Sequence, residues 1–221
     1  KREKSKTLEE AKLPQDVQKA HKLLIETGIW DYTKNPYPTR FGFAFDSASE
    51  GLGAVPEEER VEVPGIAYAI DSEHSTDPDD AISFDGEYLW VHIADPASFV
   101  MPDSPVDIAA RNRGTTLYIP EGASRMLCEE ALEDYALGLK EISTALSFKL
   151  KFDEETGVES CEVLKTRVRV ERKTYKQADE EKNSPELKPF FEIARKNLAR
   201  RNRRGAVSIN FPEVHISVDK E

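Results

Sequence analysis

Thiols are scarce in this chain. Cys128 and Cys161 are the two cysteines of 221 residues, far apart and in no Cys-x-x-Cys pair. That spacing excludes a disulfide framework and a zinc ribbon, and leaves two buried thiols as the plain expectation. Long apolar runs are lacking as well. Nothing approaches the roughly 18–20 residues that span a bilayer, and Lys1-Arg-Glu-Lys-Ser-Lys6 leads into no apolar signal core. A chain with no membrane partner and a cytoplasmic location is expected. There is no internal repeat and no low-complexity linker. The chain starts at Lys1 without a methionine and stops at Val218-Asp-Lys-Glu221, just after a strand-like run, so it reads as a piece of something longer.

Positive charge is in deficit: 31 Lys and Arg face 42 Asp and Glu, a formal net charge of −11. Phosphate binding ordinarily leaves a basic footprint, so the average argues against a nucleic-acid partner. The distribution argues otherwise, and distribution matters more. Arg195–Arg204 holds six basic residues, and Arg167, Arg169, Arg172 and Lys173 form a second group. The acidic surplus lies in Glu57–Glu62, Glu129–Asp134 and Asp179–Glu181. With 38% hydrophobic and 33% charged residues, the mixture is lean but globular, enough for one large domain or one domain with an appendage.

Residues 1–13 have little to bury and read as a mobile tail or frayed helix. Pro14 suits a first helical position, Val17, Ala20, His21, Leu24 and Ile25 recur at helical spacing, and Gly28 stops the run. Trp30–Pro38 reads as a loop with aromatic anchors, and residues 40–68 as an irregular crossing segment. Ala67–Ile70 leads into an acidic loop. Ala81–Phe84 and Tyr88–Ala94 flank Asp85-Gly86 as a β-hairpin. Asp103 or Ser104 caps a helix from Pro105 to Gly114. Thr115–Ile119 is a short strand, and 127–139 is helical in pattern. Ala145–Phe152 and Val158–Glu171 alternate as a second hairpin. A helix from about Pro185 to Arg204 follows, with Phe190, Phe191, Ile193, Ala194 and Leu198 as its apolar face. Ala206–Phe211 and Val214–Val218 read as two more strands. Hairpins and helices without a βαβ rhythm define an α+β fold, a mixed or antiparallel sheet packed by helices.

The chemistry concentrates in Asp71-Ser-Glu-His-Ser-Thr-Asp77-Pro-Asp79-Asp80, which sets four aspartates within ten residues between two apolar segments. Crowded carboxylates repel, so one pKa rises unless a cation neutralises the group. Hard oxygen ligands at short spacing suit Mg²⁺. Pro78 fixes its own φ and biases Asp77 toward extended backbone, which aims the neighbouring carboxylates. A calcium EF-hand is excluded. Its glycine at position six and glutamate at position twelve would fall, counting from Asp77, on Ile82 and Tyr88. An acidic cluster is often only a solvated turn, but apolar flanks pin this one, and burying carboxylates without a cation is costly. His92, alternating with Trp90 and Ala94 in a strand, reads as a structural histidine. No role is assigned to His74.

The segment Asp71–Ala81 resembles the signature of the ribonuclease II/R family in its RNB catalytic domain. Trp90-Val-His-Ile-Ala-Asp95-Pro, Asp107–Pro120, Met126-Leu, Ala145–Phe148, Val168–Val170, Tyr175 and Arg203–Glu213 continue the likeness in order. It covers about residues 66–221, the N-terminal part of such a domain. Residues 1–65 match less distinctively and form an N-terminal helix and irregular connecting segment. The resemblance implies a Mg²⁺-dependent 3′-to-5′ hydrolytic exoribonuclease that degrades single-stranded RNA to nucleoside 5′-monophosphates. Mn²⁺ would be a substitute, and no small-molecule cofactor beyond the metal is implied. By motif position, Asp71 and Asp80 would be direct metal ligands, and Asp77 would complete the metal environment. Asp79 would be the catalytic carboxylate. Tyr118 would stack on the 3′-terminal part of the RNA and Tyr175 would hold the terminal nucleotide. From the residues alone, Tyr118 also reads as a core aromatic. Arg200, Arg201, Arg203 and Arg204 are RNA-contact candidates, with a solvated helix face as the plainer reading. Phe211 could replace a base-stacker that the family carries where this chain has Ile209. The family's domain continues past these motifs into an arginine-rich segment with a catalytic arginine. Were these 221 residues the whole polypeptide, they would lack that positive clamp, and weak activity or none would be expected. Two rival readings remain: a catalytically inactive RNB-like module that binds RNA or protein, and a DNA nuclease using the same metal logic.

Overall fold

The computed structural model describes residues 4–53, 57–209, 211, 212, 216 and 218. Three short helices come first: α1 (Lys6–Glu10), capped by Ser5, α2 (Val17–Glu26), capped by Asp16, and α3 (Tyr37–Phe41). Helix α2 starts after Asp16 rather than at Pro14, because the Asp16 carboxylate accepts the Lys19 N–H at 2.7 Å and closes the first turn. Strand β1 (Val61–Asp71) starts well before the expected core, inside the segment read as irregular. Its Pro64-Gly65 pair is absorbed by a register shift between Glu62 and Ile66, with Gly65 at φ +83°. A bulge is where a strand tolerates both residues.

Strands β2 (Asp80–Phe84) and β3 (Leu89–Ala94) form the expected hairpin around Asp85-Gly86. Asp85 accepts the Tyr88 N–H at 2.7 Å and the Trp90 indole N–H at 2.9 Å, locking the turn. Helix α4 (Pro105–Arg113) is capped by Ser104 and ends at left-handed Gly114. A two-stranded ribbon of β4 (Leu117–Ile119) and β5 (Gly122–Ser124) follows. The segment 127–139 is helical only over a 3₁₀ turn (Glu129–Ala131) and α5 (Leu132–Tyr135). Beyond it, Leu137 turns into the sheet's interior, and Gly138 sits at φ +75° where a Cβ would lie 3.2 Å from the Val170 carbonyl. Packing overrides helical periodicity there. The second hairpin, β6 (Ser143–Phe152) and β7 (Val158–Thr174), leads to α6 (Tyr175–Glu180) and α7 (Lys188–Arg203).

The sheet closes on itself as a barrel in the order β1-β2-β3-β6-β7. Neighbours are antiparallel except β1 and β7, whose parallel pairing runs to Asp71 opposite Thr174. The sequence reading anticipated hairpins in a mixed α+β sheet, but not its closure. A five-stranded barrel is narrow, and its inward positions are accordingly small: Ala67 and Ala69 on β1, Ala81 and Ser83 on β2, Ala145 and Ser147 on β6. Trp90 supplies the bulk, stacked on His92 at 6.3 Å between ring centres. Outside the barrel, Tyr68 packs with Ala178, Leu187 and Phe190 of the helical layer. Phe99, Val106, Leu127 and Tyr135 form a third apolar centre between α4 and the 127–139 segment. Ala194 and Leu198, expected on the apolar face of α7, are exposed.

Closure joins the first and last strands of the sheet, and Ala206–Ile209 and Phe211, expected in a further strand, form none. Most of the second strand expected at 214–218 lies outside the described residues. The outer part of β7 reaches past β1, whose pairing starts at Val61 opposite Thr166, so Cys161 is exposed although Cys128 is buried. The acidic stretch before β1 is held down by Arg60. Its buried guanidinium donates to Asp95 at 2.8 Å, Glu58 at 3.0 Å and the Ala145 carbonyl at 3.3 Å. Among the described residues, no helix is long and apolar enough to cross a membrane.

His92 lies inside the barrel, fully buried, and is structural as expected. Its Nε2 meets Ser83 Oγ at 2.9 Å and its Nδ1 meets Ser147 Oγ at 2.7 Å. Ser147 in turn pairs with Thr166 at 2.6 Å, and Thr166 donates to the Ala145 carbonyl. Each hydroxyl has one proton, so the chain runs one way: Thr166 to carbonyl, Ser147 to Thr166, and His92 Nδ1–H to Ser147. Nε2 is then left to accept from Ser83. Burial pushes the imidazole pKa down to about 4. A depressed histidine favours the fold above its unfolded pKa near 6.5, and that stability is lost as pH falls toward 4. Urea unfolding between pH 7 and pH 4 should show on the order of 3 kcal/mol of loss from this group. The difference between wild type and His92→Gln measures it.

Candidate active site at the barrel mouth

The four aspartates occupy the connection from β1 to β2 at one end of the barrel. Asp71 is the last residue of β1 and Asp80 the first of β2, so the strands set two carboxylates at the rim. The loop between them is fastened along its length. The Asp79 carbonyl accepts the Ala94 N–H at 2.7 Å, and the carbonyl of buried Pro78 accepts the Leu137 N–H at 2.9 Å. Arg172 of β7 donates to the Ser75 carbonyl at 2.7 Å. The Ser72 N–H turns back onto Asp71 Oδ1 at 2.7 Å.

Asp77 is held by a residue that sequence reasoning missed. Arg125, immediately after β5, directs Nε to Asp77 Oδ2 at 3.2 Å and Nη2 to Thr76 Oγ1 at 2.7 Å. The signal was present: a single arginine in Ala123-Ser-Arg-Met-Leu127 needs a partner if buried, and Glu129 stands four residues on. Arg125 Nη1 reaches both Glu129 oxygens, at 2.9 and 2.7 Å.

Asp79 is exposed, yet its pKa is raised. Burial of part of the carboxylate contributes most, followed by the charges of Asp77, Asp80 and Asp71. The loop therefore carries uncompensated negative charge, the electrostatic condition a cation relieves. In chemistry the donor set fits a hard divalent ion. In geometry, among the described residues, no three His, Cys, Asp or Glu side chains converge closely enough to hold one.

Tyr118 stands on the β4–β5 ribbon and is exposed. Its phenol pKa is raised by partial burial and by the charges of Asp77 and Asp79 nearby. Tyr175 opens α6, one residue beyond Thr174, the register partner of Asp71, and a Thr174–Gln177 capping box fixes that turn. Both tyrosines thus border the rim. The arginines of α7 do not. Arg203 pairs with Glu155 at 2.6 Å in the β6–β7 turn, which the register puts at the barrel end opposite Asp80. Arg201 lines a groove with Ile82, Leu89 and Phe190. Arg200 is half-buried and Arg204 caps the helix. Phe211 is exposed, as is Ile209. On β7, Arg167 and Arg169 lie near Glu62 and Glu141, and Lys173 lies between Glu171 and Glu181.

A closed barrel with a rim of aspartates and flanking tyrosines defines a class: an α+β domain with an acidic site at the barrel mouth. The RNB domain model matches residues 64–221, and a double HTH domain model matches residues 1–36. The chain belongs to the RNB-domain family. An uncharacterized ribonuclease of Synechocystis is 31% identical over 90% of this chain and 33% of its own length. A chloroplastic and mitochondrial ribonuclease II of Arabidopsis thaliana is 30% identical over 89% of this chain and 27% of its own. The chain therefore spans about a third or less of these relatives. In structure it is similar to RNase R of Mycoplasma genitalium in complex with double-stranded RNA. That likeness has a TM-score of 0.67 at 20% identity, over 90% of this chain and 38% of the other. Yeast Ssd1, a pseudonuclease, is similar at a TM-score of 0.56 and 22% identity, over 65% of this chain and 20% of the other.

The raised pKa of Asp79 fixes the sign of a stability effect. Its ionised form is disfavoured in the fold, so Asp79→Asn should raise the melting temperature at pH 7 in EDTA. The gain should vanish near pH 3, where wild-type Asp79 is protonated. Thermal unfolding at both pH values reads it.

Proposed function

We propose that this chain is the front part of a 3′-to-5′ hydrolytic exoribonuclease acting on single-stranded RNA and releasing nucleoside 5′-monophosphates. The observation that carries the reading is the four-aspartate loop fastened between β1 and β2, with the Tyr118 phenol within the field of Asp77 and Asp79. Membership of the RNB-domain family supports it. Asp71, Asp77 and Asp80 would hold Mg²⁺, with Mn²⁺ as a substitute. When bound, such an ion polarises the scissile phosphate and acidifies an attacking water. Asp79 would be the catalytic carboxylate. Tyr118 stacks on the 3′-terminal part of the RNA, and Tyr175, beyond the Asp71 end of the rim, holds the terminal nucleotide. Stacking accepts any base, which suits a processive degrader of mixed sequence. Arg200, Arg201, Arg203, Arg204 and Phe211 contribute at most to a longer RNA track, since Arg203 is tied to the far end of the barrel. The setting is cytoplasmic.

A second reading has its own support. The carboxylates do not converge among the described residues, and a pseudonuclease shares the fold. An RNB-like module that binds RNA without cutting would retain the tyrosines and need no ligand set.

Digestion of 5′-labelled single-stranded RNA by the full-length protein with Mg²⁺ separates the two. Nucleolysis should proceed from the 3′ end, and Asp79→Asn should bind RNA yet cut at least about 100-fold more slowly. Tyr118→Ala should weaken retention of short RNA about 5- to 100-fold and lengthen the end product. Binding without cleavage in Mg²⁺ and Mn²⁺ alike selects the second reading.

A further inference from the structure

We propose that Arg125 is a positioning residue for the aspartate loop, an internal cation that fixes Asp77 and Thr76 and so sets the course of the loop between Asp71 and Asp80. The inference deepens the nuclease reading and rests on it where the metal is concerned. Its geometry stands apart from that reading.

Arg125 joins three stretches distant in the chain. Its side chain is 9% exposed. One edge of the guanidinium serves the loop: Nε donates to Asp77 at 3.2 Å and Nη2 to Thr76 Oγ1 at 2.7 Å. Thr76 spends its own proton on Asp77 Oδ1 at 3.2 Å, so both oxygens of Asp77 accept from protein donors. The other edge is clamped by Glu129. Glu129 is itself held by the Ser47 hydroxyl, whose oxygen accepts the Arg125 backbone N–H at 2.8 Å. The Arg125 carbonyl accepts the Ala48 N–H at 3.2 Å, fastening the other end of the residue. A planar fork fixed on both edges defines direction as well as charge, which a lysine ammonium cannot do.

Two consequences follow. Asp77 is spoken for, so it acts on a bound metal through water or as an anchor, while Asp71 and Asp80 are free to ligate directly. A group that orients ligands is as consequential for metal affinity as the ligands' near neighbours elsewhere, where substitution costs roughly 10- to 100-fold. Charge and position make opposite forecasts. A cation close to the site repels a second cation, so its removal by charge alone would tighten metal binding. Loss of position would weaken it.

The experiment uses the full-length protein with Arg125→Lys, Arg125→Gln and Glu129→Gln. Two readouts are taken: Mn²⁺ affinity by electron paramagnetic resonance and amide hydrogen exchange of residues 72–80 without metal. Positioning predicts faster exchange across the loop in all three variants, together with about tenfold or greater loss of Mn²⁺ affinity in both Arg125 variants. It predicts this with melting temperatures close to wild type. Unchanged loop exchange, or tighter Mn²⁺ binding by Arg125→Gln, overturns the proposal. So does retained affinity in Arg125→Lys, which keeps charge but not the fork. A wild type that binds no Mn²⁺ refutes the metal reading instead, and loop exchange then decides the role of Arg125 alone. If Arg125→Gln unfolds, Arg125→Lys and Glu129→Gln carry the same test.

Discussion

The parallel pairing of β1 with β7 closes the barrel, and each feature of the mouth depends on it. It brings together segments about a hundred residues apart, from Val61 beside Thr166 to Asp71 beside Thr174. Through that register Asp71 ends next to the turn that carries Tyr175. Arg172, three residues upstream of Tyr175, comes within reach of the Ser75 carbonyl. Parallel pairing needs a long crossover. Here the crossover is the rest of the barrel together with α4 and the 127–139 segment. The same residues that complete the connection also press Leu137 against the loop's Pro78.

Closure also sets the composition of the interior. A barrel of five strands leaves room mainly for alanine, serine, threonine and valine, with Trp90, His92 and Leu137 as bulkier fillers. Buried hydroxyls are affordable only with partners, and the Ser83, His92, Ser147 and Thr166 chain ends on a backbone carbonyl with each proton used once. The resulting interior is rigid and neutral. The aspartates stand at the rim instead, where water and the Arg125 guanidinium reach them.

At the rim the balance of charge divides the four aspartates into unequal members. Asp77 is compensated by Arg125, which Glu129 holds in turn. Asp79, partly buried, bears the repulsion of the other three. A loop with one carboxylate neutralised from within is better defined than one of four equivalent charges, because equivalent charges would spread apart. The acidic surplus of the chain takes part as well: several β7 cations are paired with glutamates, so the net charge understates how selectively positive charge is deployed.

Much of this was legible in the residues. The Asp85-Gly86 hairpin, the Ser104-capped helix, the long second hairpin and the helix that ends at Arg203 follow from short-range patterns, since turn chemistry and capping act over a few residues. The aspartate loop, its apolar flanks and the structural reading of His92 were equally local. Tertiary structure decided the rest. Residues 127–139 repeat as a helix, but a barrel interior that needs Leu137 and a close approach at Gly138 ends it early. Pro64-Gly65 reads as a break, but a bulge carries β1 through it. Ala206–Ile209 and Phe211 alternate like a strand but form none. Arg125 meets Asp77 across 48 positions. Contacts between segments that distant leave no periodicity, because only the folded chain brings the partners within hydrogen-bonding range.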